Sequence, residues 1–464
     1  MVQLLNASGR AAKSSFFALS LLLSACVGNS TASTNPPPSV QNFNITLQPQ
    51  AIPNNMPALQ CMAVASAGNK LLMIGGMTGG MHQFATFNQN LYVYDLQTTI
   101  LYSQPLSTTD LPPALQAQFS SECFAYYQDG DYLYIIGGYN ALNPNNIVTN
   151  QIISTVDVPN MINAISTGSS QLAQYVHYKT DIPEFKVSGG ELVKLNNSFY
   201  LGFGQNCEGN YCATLQVYTH KVVNFSADPT LQNISIDKTV VNANDSSSGF
   251  RRRDYNLLPL QTLNDYKLLA LGGPFTPGNF ANVWTNVISF NPDLSYDLNF
   301  YPQQAFNQYN TAKLSLSDQN GSISYALLFA GMSNTYWGPK QQFVVDTTTP
   351  LSNVLSLLAY NYQSGTVSEY ANAQPLYATV ANTQYYMGGE ARFIHNRNLT
   401  NFDQNQILHI DQLQQKTLIG YVYGGLISES NIIFTTPPVS FPSNQLYAVY
   451  YVPTTNNNNW IQYP

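Results

Sequence analysis

Short apolar runs that end in a pair of small residues recur along this chain. Leu71-Leu72-Met73-Ile74 leads into Gly75-Gly76, and Tyr132-Leu133-Tyr134-Ile135-Ile136 leads into Gly137-Gly138. Looser copies run from Phe199 to Gly204, Leu268 to Gly273, Leu327 to Gly331 and Tyr385 to Gly389. With 75, 137, 203, 272, 330 and 388 as anchors, the chain divides into six units of similar size, the mark of a repeat architecture. Each anchor is followed by a loop and a second run: Asn90 to Asp95, Gln151 to Asp157, Thr214 to Tyr218, Asn286 to Asn291, Gln342 to Asp346 and Gln406 to Asp411. Period-two alternation of β-branched and aromatic residues, bounded by Gly, Asn, Asp and Pro, predicts strands. No helical period of comparable length appears, so the expected class is all-β.

The N-terminus breaks this pattern. Arg10 and Lys13 precede the apolar run Phe16 to Leu23, which is too short to span a bilayer as a helix and fits an export signal. The tetrad Leu23-Ser24-Ala25-Cys26 resembles a bacterial lipobox, which implies cleavage before Cys26 and acylation of its sulfur. Val27 after that cysteine resembles outer-membrane sorting. Residues 27–41 lack apolar periodicity and are rich in Ser, Thr, Asn and Pro. At about 3 Å per residue they form a tether on the order of 40 Å long. The expected organisation is a signal peptide over 1–25, a lipidated cysteine and tether over 26–41, and one folded region over 42–464.

Only 9% of residues are charged, against about 25% in ordinary soluble domains. The net charge is −7 at pH 7, and residues 1–25 hold two cations and no anion, so the remaining chain is more acidic still. That balance excludes an electrostatic footprint for nucleic acid. Beyond Cys26 there are four cysteines, Cys61, Cys123, Cys207 and Cys212. In an oxidising compartment an even number suggests disulfides, and four cysteines allow three pairings. Glu208-Gly209-Asn210-Tyr211 is able to turn back on itself, which favours Cys207 with Cys212 and leaves Cys61 with Cys123. No cysteine has the CxxC spacing or nearby histidine of a metal site, and no metal or cofactor is expected.

Gly-Gly after an apolar strand, followed by a strand ending in Tyr-Asp or Val-Asp, resembles the kelch repeat. The resemblance covers roughly residues 43 to 464 and is strongest in the first two units. It implies a β-propeller of four-stranded blades around a central channel, with six blades. The early run Phe43 to Leu47 and the C-terminal run Gln445 to Val452 either close the ring by sharing a sheet or belong to a seventh, degenerate blade. Under this fold Cys61 and Cys123, at the same offset before Gly75 and Gly137, occupy equivalent positions of neighbouring blades, within reach of a disulfide.

The fold implied by the resemblance directs attention to one face, around the channel mouth. Arg251, Arg252, Arg253 and Asp254 precede the fourth inner strand, and Glu390, Arg392, His395 and Arg397 fall in the loop after Gly388-Gly389. Glu122 precedes Cys123, Glu191 starts the third inner strand, and Tyr139, Phe275, Tyr336 and Trp337 sit in other loops of that face. Arginines with aromatic platforms hold a carboxylate or phosphate and stack a sugar ring. Arg251, Arg252, Arg253, Tyr139, Tyr336, Trp337 and His395 are therefore the ligand-binding candidates. Kelch propellers include sialate mutarotases, whose ring-opening chemistry needs a proton donor, a proton acceptor and an arginine clamp. In that alternative Glu390 or Glu191 is the acid/base and Arg253 or Arg392 the clamp. A copper enzyme of the galactose-oxidase type is disfavoured, because His82, His177, His220, His395 and His409 are scattered among units without paired spacing. The leading expectation is a non-catalytic, lipid-anchored module at the outer membrane that binds a glycan or an envelope or host protein.

Overall fold

The computed structural model describes residues 42–81, 86–141, 146–209, 217–244, 249–277, 282–346, 348, 351–431, 440–455 and 459–463. The signal segment, Cys26 and the tether lie outside the described residues, as do His82 and Cys212. Within them the chain is mostly β, with short helices over Pro113–Phe119 and Val158–Ser166. The local chemistry of the hairpins is plain. Ala67 pairs with Lys70, Asp129 with Tyr132 and Leu195 with Ser198, so Gly68-Asn69, Gly130-Asp131 and Asn196-Asn197 are two-residue turns. Gly68, Gly130 and Asn196 have φ of 55°, 55° and 56°, the left-handed backbone such turns require and Gly and Asn tolerate.

Six sheets, antiparallel apart from one edge strand, hold the main strands of the repeat units. The first is Ala63–Ala67, Lys70–Ile74, Asn90–Asp95 and Leu101–Pro105; the second is Ala125–Asp129, Tyr132–Ile136, Ile152–Asp157 and Val176–Thr180. The third is Glu191–Leu195, Ser198–Gly202, Lys221–Ala227 and Ile234–Val241; the fourth is Asn256–Gln261, Tyr266–Leu271, Val287–Phe290 and Tyr296–Tyr301. The fifth is Ala312–Asp318, Ile323–Met332, Leu351–Asn361 and Thr366–Asn372, with Ile407–His409 and Trp460–Gln462 added at its edges. The sixth starts with Arg392–His395, Thr417–Tyr423 and Leu446–Pro453, and takes the N-terminal strand Phe43–Pro49 as its outer member. The early and C-terminal runs thus share a sheet, in register from Phe43 opposite Pro453 to Pro49 opposite Tyr447.

Successive sheets pack face to face through apolar side chains. Leu72 and Ile74 of the first meet Leu133 and Ile135 of the second, and Ile136 and Ile153 of the second meet Phe199 and Leu201 of the third. Tyr200 packs with Leu257 and Leu268, Leu269 with Leu328 and Leu358, and Phe329 with Phe393 and Val422. The sixth sheet then meets the first, through Ile394, Tyr423 and Leu446 against Val64, Leu71 and Met73. Each such side chain contributes roughly 1.5–3 kcal/mol by leaving water. The helix Val158–Ser166 lays Val158, Met161, Ile162 and Ile165 on the first of these layers. Its start is set by Pro159 in the first turn and by Asp157, whose carboxylate accepts from the Asn160 N–H at 3.2 Å.

Three of the six units differ from the sequence expectation. Tyr385 to Gly389 belongs to Thr383–Gly389, which pairs with Ala378–Val380 and Leu426–Ser428 in a separate sheet. The doublet that follows the second strand of the sixth sheet is Gly424-Gly425, with φ of 70° and 83°. The second runs expected to pair beside their anchor strands at Gln342 to Asp346 and Gln406 to Asp411 are instead a hairpin strand, Phe343–Val345, and a parallel edge strand, Ile407–His409. In the third unit Val217–Tyr218 pairs with Gln205–Asn206, and Lys221–Ala227 is the third strand. Local hairpins took two of these runs, and longer-range pairing decided the rest.

Candidate functional site

Two residues before the first strand of each of these six sheets stands a residue in the left-handed backbone region. These are Cys61, Cys123, Gly189, Asp254, Asn310 and Glu390, with φ of 52°, 53°, 61°, 46°, 45° and 61°. Their amides link them in sequence. Cys61 N–H donates to the Glu390 carbonyl at 3.2 Å, Cys123 to Cys61 at 3.1 Å, Gly189 to Cys123 at 2.9 Å, Asp254 to Gly189 at 2.7 Å and Glu390 to Asn310 at 2.5 Å. Cys61 and Cys123 form a disulfide across the first two sheets, as their equal offsets implied. At Gly189 a Cβ would lie 2.5 Å from Asp254 Oδ1, so the bare position makes room for that carboxylate.

A cavity of about 60 Å³ lies against these residues. Glu122, Asp254, Glu390, Arg253, Tyr139 and Gln205 all line it. Arg253 Nη1 donates to Asp254 Oδ2 at 2.6 Å and its guanidinium stands 5.5 Å from the Phe275 ring centre. Arg392 does not line the cavity; it donates to the Met62 carbonyl at 3.0 Å, Asn310 Oδ1 at 3.2 Å and Cys61 Sγ at 3.3 Å. Burial pushes the Glu122 carboxyl up to about 7, against the opposing pull of a Tyr139 hydrogen bond and the two guanidinium groups. Glu390 is held well above the carboxylate range by burial and by the charges of Glu122 and Asp254. Asp254 is raised by burial despite Arg253 and Arg392. Among the described residues, the buried oxygens Glu390 Oε2 and Gln205 Oε1 have no hydrogen-bond partner.

The other candidates lie elsewhere. Glu191 Oε1 is paired with Lys313 Nζ at 2.5 Å beside a larger cavity, about 140 Å³, lined by the first strands of all six sheets. Tyr126, pushed up to about 12 by burial, faces Arg392 there at 5.9 Å. The expected loop of Glu390, Arg392, His395 and Arg397 is a strand, Arg392–His395, so its two ends are separated. Glu390 lines the first cavity, whereas His395 and Arg397 line a third one of about 420 Å³ with residues of the 399–406 segment. Burial pushes the His395 imidazole down to about 3, and its ring meets the edges of Phe393 and Phe402. The 399–406 segment is tied across that end: Gln406 Nε2 donates to the Gln128 carbonyl at 2.7 Å and Asn196 N–H to Asn405 Oδ1 at 2.6 Å.

Arg252 is fully buried at 0% exposure, and its guanidinium donates to the carbonyls of Gly249, Ala270, Gly272 and Asn286 and to Asn286 Oδ1. It braces the fourth sheet, which removes it from contact with a ligand. Arg251 Nη1 donates to the Phe275 carbonyl at 2.6 Å and its guanidinium stacks 4.1 Å from the Tyr218 ring centre. Trp337 is buried, with Nε1 on the Asn372 carbonyl and its ring 4.1 Å from Phe343; neither it nor Tyr336 lines the first cavity. Cys207 is buried with a free thiol, and Cys212, its expected partner, lies outside the described residues. Its backbone is locked to Thr149, and its side chain packs with Cys61, Cys123 and Tyr139. Burial pushes that thiol up to about 11.

Sequence reasoning missed Gln205 and Asn310. The signal was positional: Gln205 follows Phe203-Gly204 as Tyr139 follows Gly137-Gly138, and Asn310 precedes its strand by the same two residues as Cys61. Chemically, the site gathers three carboxyl groups that retain protons more readily than exposed ones, beside guanidinium groups already engaged by protein acceptors. In comparisons with known proteins, no family model matches this chain and no curated protein matches it.

Proposed function

We propose that the chain is a six-bladed, kelch-type β-propeller, held at the bacterial outer membrane by lipid on Cys26, that binds a glycan or protein partner at its Cys61–Glu390 mouth. Supporting the propeller are the apolar layers between successive sheets, the sixth against the first included. The glycines support it too: a Cβ on Gly75 would lie 2.3 Å from the Ser121 carbonyl of the next unit, and one on Gly424 2.5 Å from that of Leu59. The observation that carries the binding reading is the mouth itself, where Glu122, Asp254 and Glu390 line a small cavity together with methionine and aromatic side chains, and Arg253 is committed to Asp254. Such a site favours the hydroxyl edge of a neutral sugar over an anionic one, since carboxylates accept from hydroxyl groups and the guanidinium charge is already matched.

Proton NMR of a reducing-sugar panel with the full-length protein in detergent tests this. Line broadening of a neutral sugar that disappears in Glu390→Gln supports the glycan reading; an unperturbed panel overturns it. Loss of radiolabelled fatty acid in Cys26→Ser tests the anchor. A sugar mutarotase is the second reading, favoured by Glu122 at about 7 in electrostatic contact with the more strongly raised Glu390. Exchange between anomers in the same NMR samples separates the two readings, because only a mutarotase accelerates it and loses that effect in Glu122→Gln.

A further inference from the structure

We infer that the cavity at the Cys61–Glu390 mouth is a calcium site, with Glu390 Oε2, Gln205 Oε1 and the Glu122 carboxylate as its protein ligands. This rests on the cavity and its donors, and holds whether or not a glycan binds. Gln205 is only 2% exposed, lines the cavity, and leaves its amide oxygen without a partner among the described residues. A buried amide oxygen left unpaired costs on the order of 1–3 kcal/mol, and Glu390 Oε2 shares that condition. The carboxyl groups agree. Glu122, Asp254 and Glu390 bring three of them to the cavity, Arg253 is paired with Asp254, and among the described residues neither Glu122 nor Glu390 is in an ion pair.

The donor type selects the metal. Carboxylate and amide oxygens are hard ligands, and the nearby sulfurs of Cys61 and Cys123 are tied up in their disulfide. Irregularly placed side chains from three different units suit the flexible coordination of calcium better than the strict octahedron of magnesium. A cavity of about 60 Å³ holds one such ion with a water or two to complete its shell.

Full-length protein, stripped with a chelator and titrated with calcium chloride by calorimetry at about pH 7.5, tests the assignment. One calcium per chain is expected, in the micromolar to millimolar range of mixed carboxylate and carbonyl sites. Glu390→Gln should weaken it about tenfold or more, and Glu208→Gln, at an exposed residue paired with Lys186, should not. Because loss of binding can also follow from loss of fold, Gln205→Glu gives an independent reading. The added carboxylate should lower the melting temperature of the metal-free protein, and calcium should raise it by more than it raises the parent. Absence of heat and of any melting shift at about 5 mM calcium overturns the proposal. So does a folded Glu390→Gln protein with undiminished affinity, or binding of magnesium in place of calcium.

Discussion

The amide of Cys123 donates to the carbonyl of Cys61 at 3.1 Å while their sulfurs are bonded and their Cα atoms stand 5.0 Å apart. The two residues begin different sheets and are 62 residues apart in sequence. One pair of residues therefore joins two repeats by both a covalent and a hydrogen bond, at the edge of the proposed site.

Removing the covalent half should be costly. For a loop of this length, replacing both cysteines with alanine is expected to lower stability by about 4 kcal/mol, read from the urea midpoint of oxidised parent and variant. A loss below about 1 kcal/mol would show that packing and the amide chain alone hold the first two sheets together.

Gly424→Ala should be far more damaging than Gly68→Ala. Both glycines have positive φ, 70° and 55°, so each substitution carries a conformational penalty of about 1 kcal/mol. At Gly68 nothing lies within 4 Å of the added Cβ, whereas at Gly424 it meets the Leu59 carbonyl oxygen at 2.5 Å and must push the sixth and first sheets apart. Thermal melting of the two variants against the parent measures the difference.

Arg252→Met should cost more than about 3 kcal/mol, because it strands several buried carbonyl acceptors at once. Arg251→Met, whose side chain has one hydrogen bond and a ring contact, should cost about 1 kcal/mol. Equal shifts in urea midpoint for the two would contradict the bracing role of Arg252.

The metal-free protein should lose stability as pH rises from about 4.5 to about 7. Glu122 has a folded value of about 7 against an ordinary 4.5, and Asp254 and Glu390 are raised as well. In that window the native chain holds protons that the unfolded chain releases, so the free energy of unfolding falls with pH. Urea midpoints at pH 5 and pH 8 should show the decline, and Glu122→Gln should flatten it.

The strands of the first, second and fourth units were legible because each is a local hairpin followed closely by its third strand. The sixth was not. Tyr385 to Gly389 and Tyr421 to Gly425 carry nearly the same pattern, and what separates them is the pairing of Thr417–Tyr423 with Leu446–Pro453. No periodicity reports that. In the site, Glu122, Arg253, Glu390 and Tyr139 were visible as scarce charges and aromatics placed near the Gly-Gly runs. Gln205 was hidden because a glutamine in a chain rich in glutamine carries no compositional signal, and only its position in the folded chain exposes its unpaired oxygen. Arg252 stood in the same Arg-Arg-Arg run as Arg253; the irregular backbone before Asn256 sends one to buried carbonyls and the other to the cavity.

The pairing of Phe43–Pro49 with Leu446–Pro453 bears on how the molecule comes into being. The first strand of the folded region can dock only after the chain has been made as far as Pro453. Until then one sheet lacks its outer member and the apolar face of Phe43, which packs on Tyr325, Tyr451 and Trp460, stays uncovered. Completion of this sheet therefore waits for the Leu446–Pro453 strand, and a chain halted before it keeps Phe43–Pro49 without its partner.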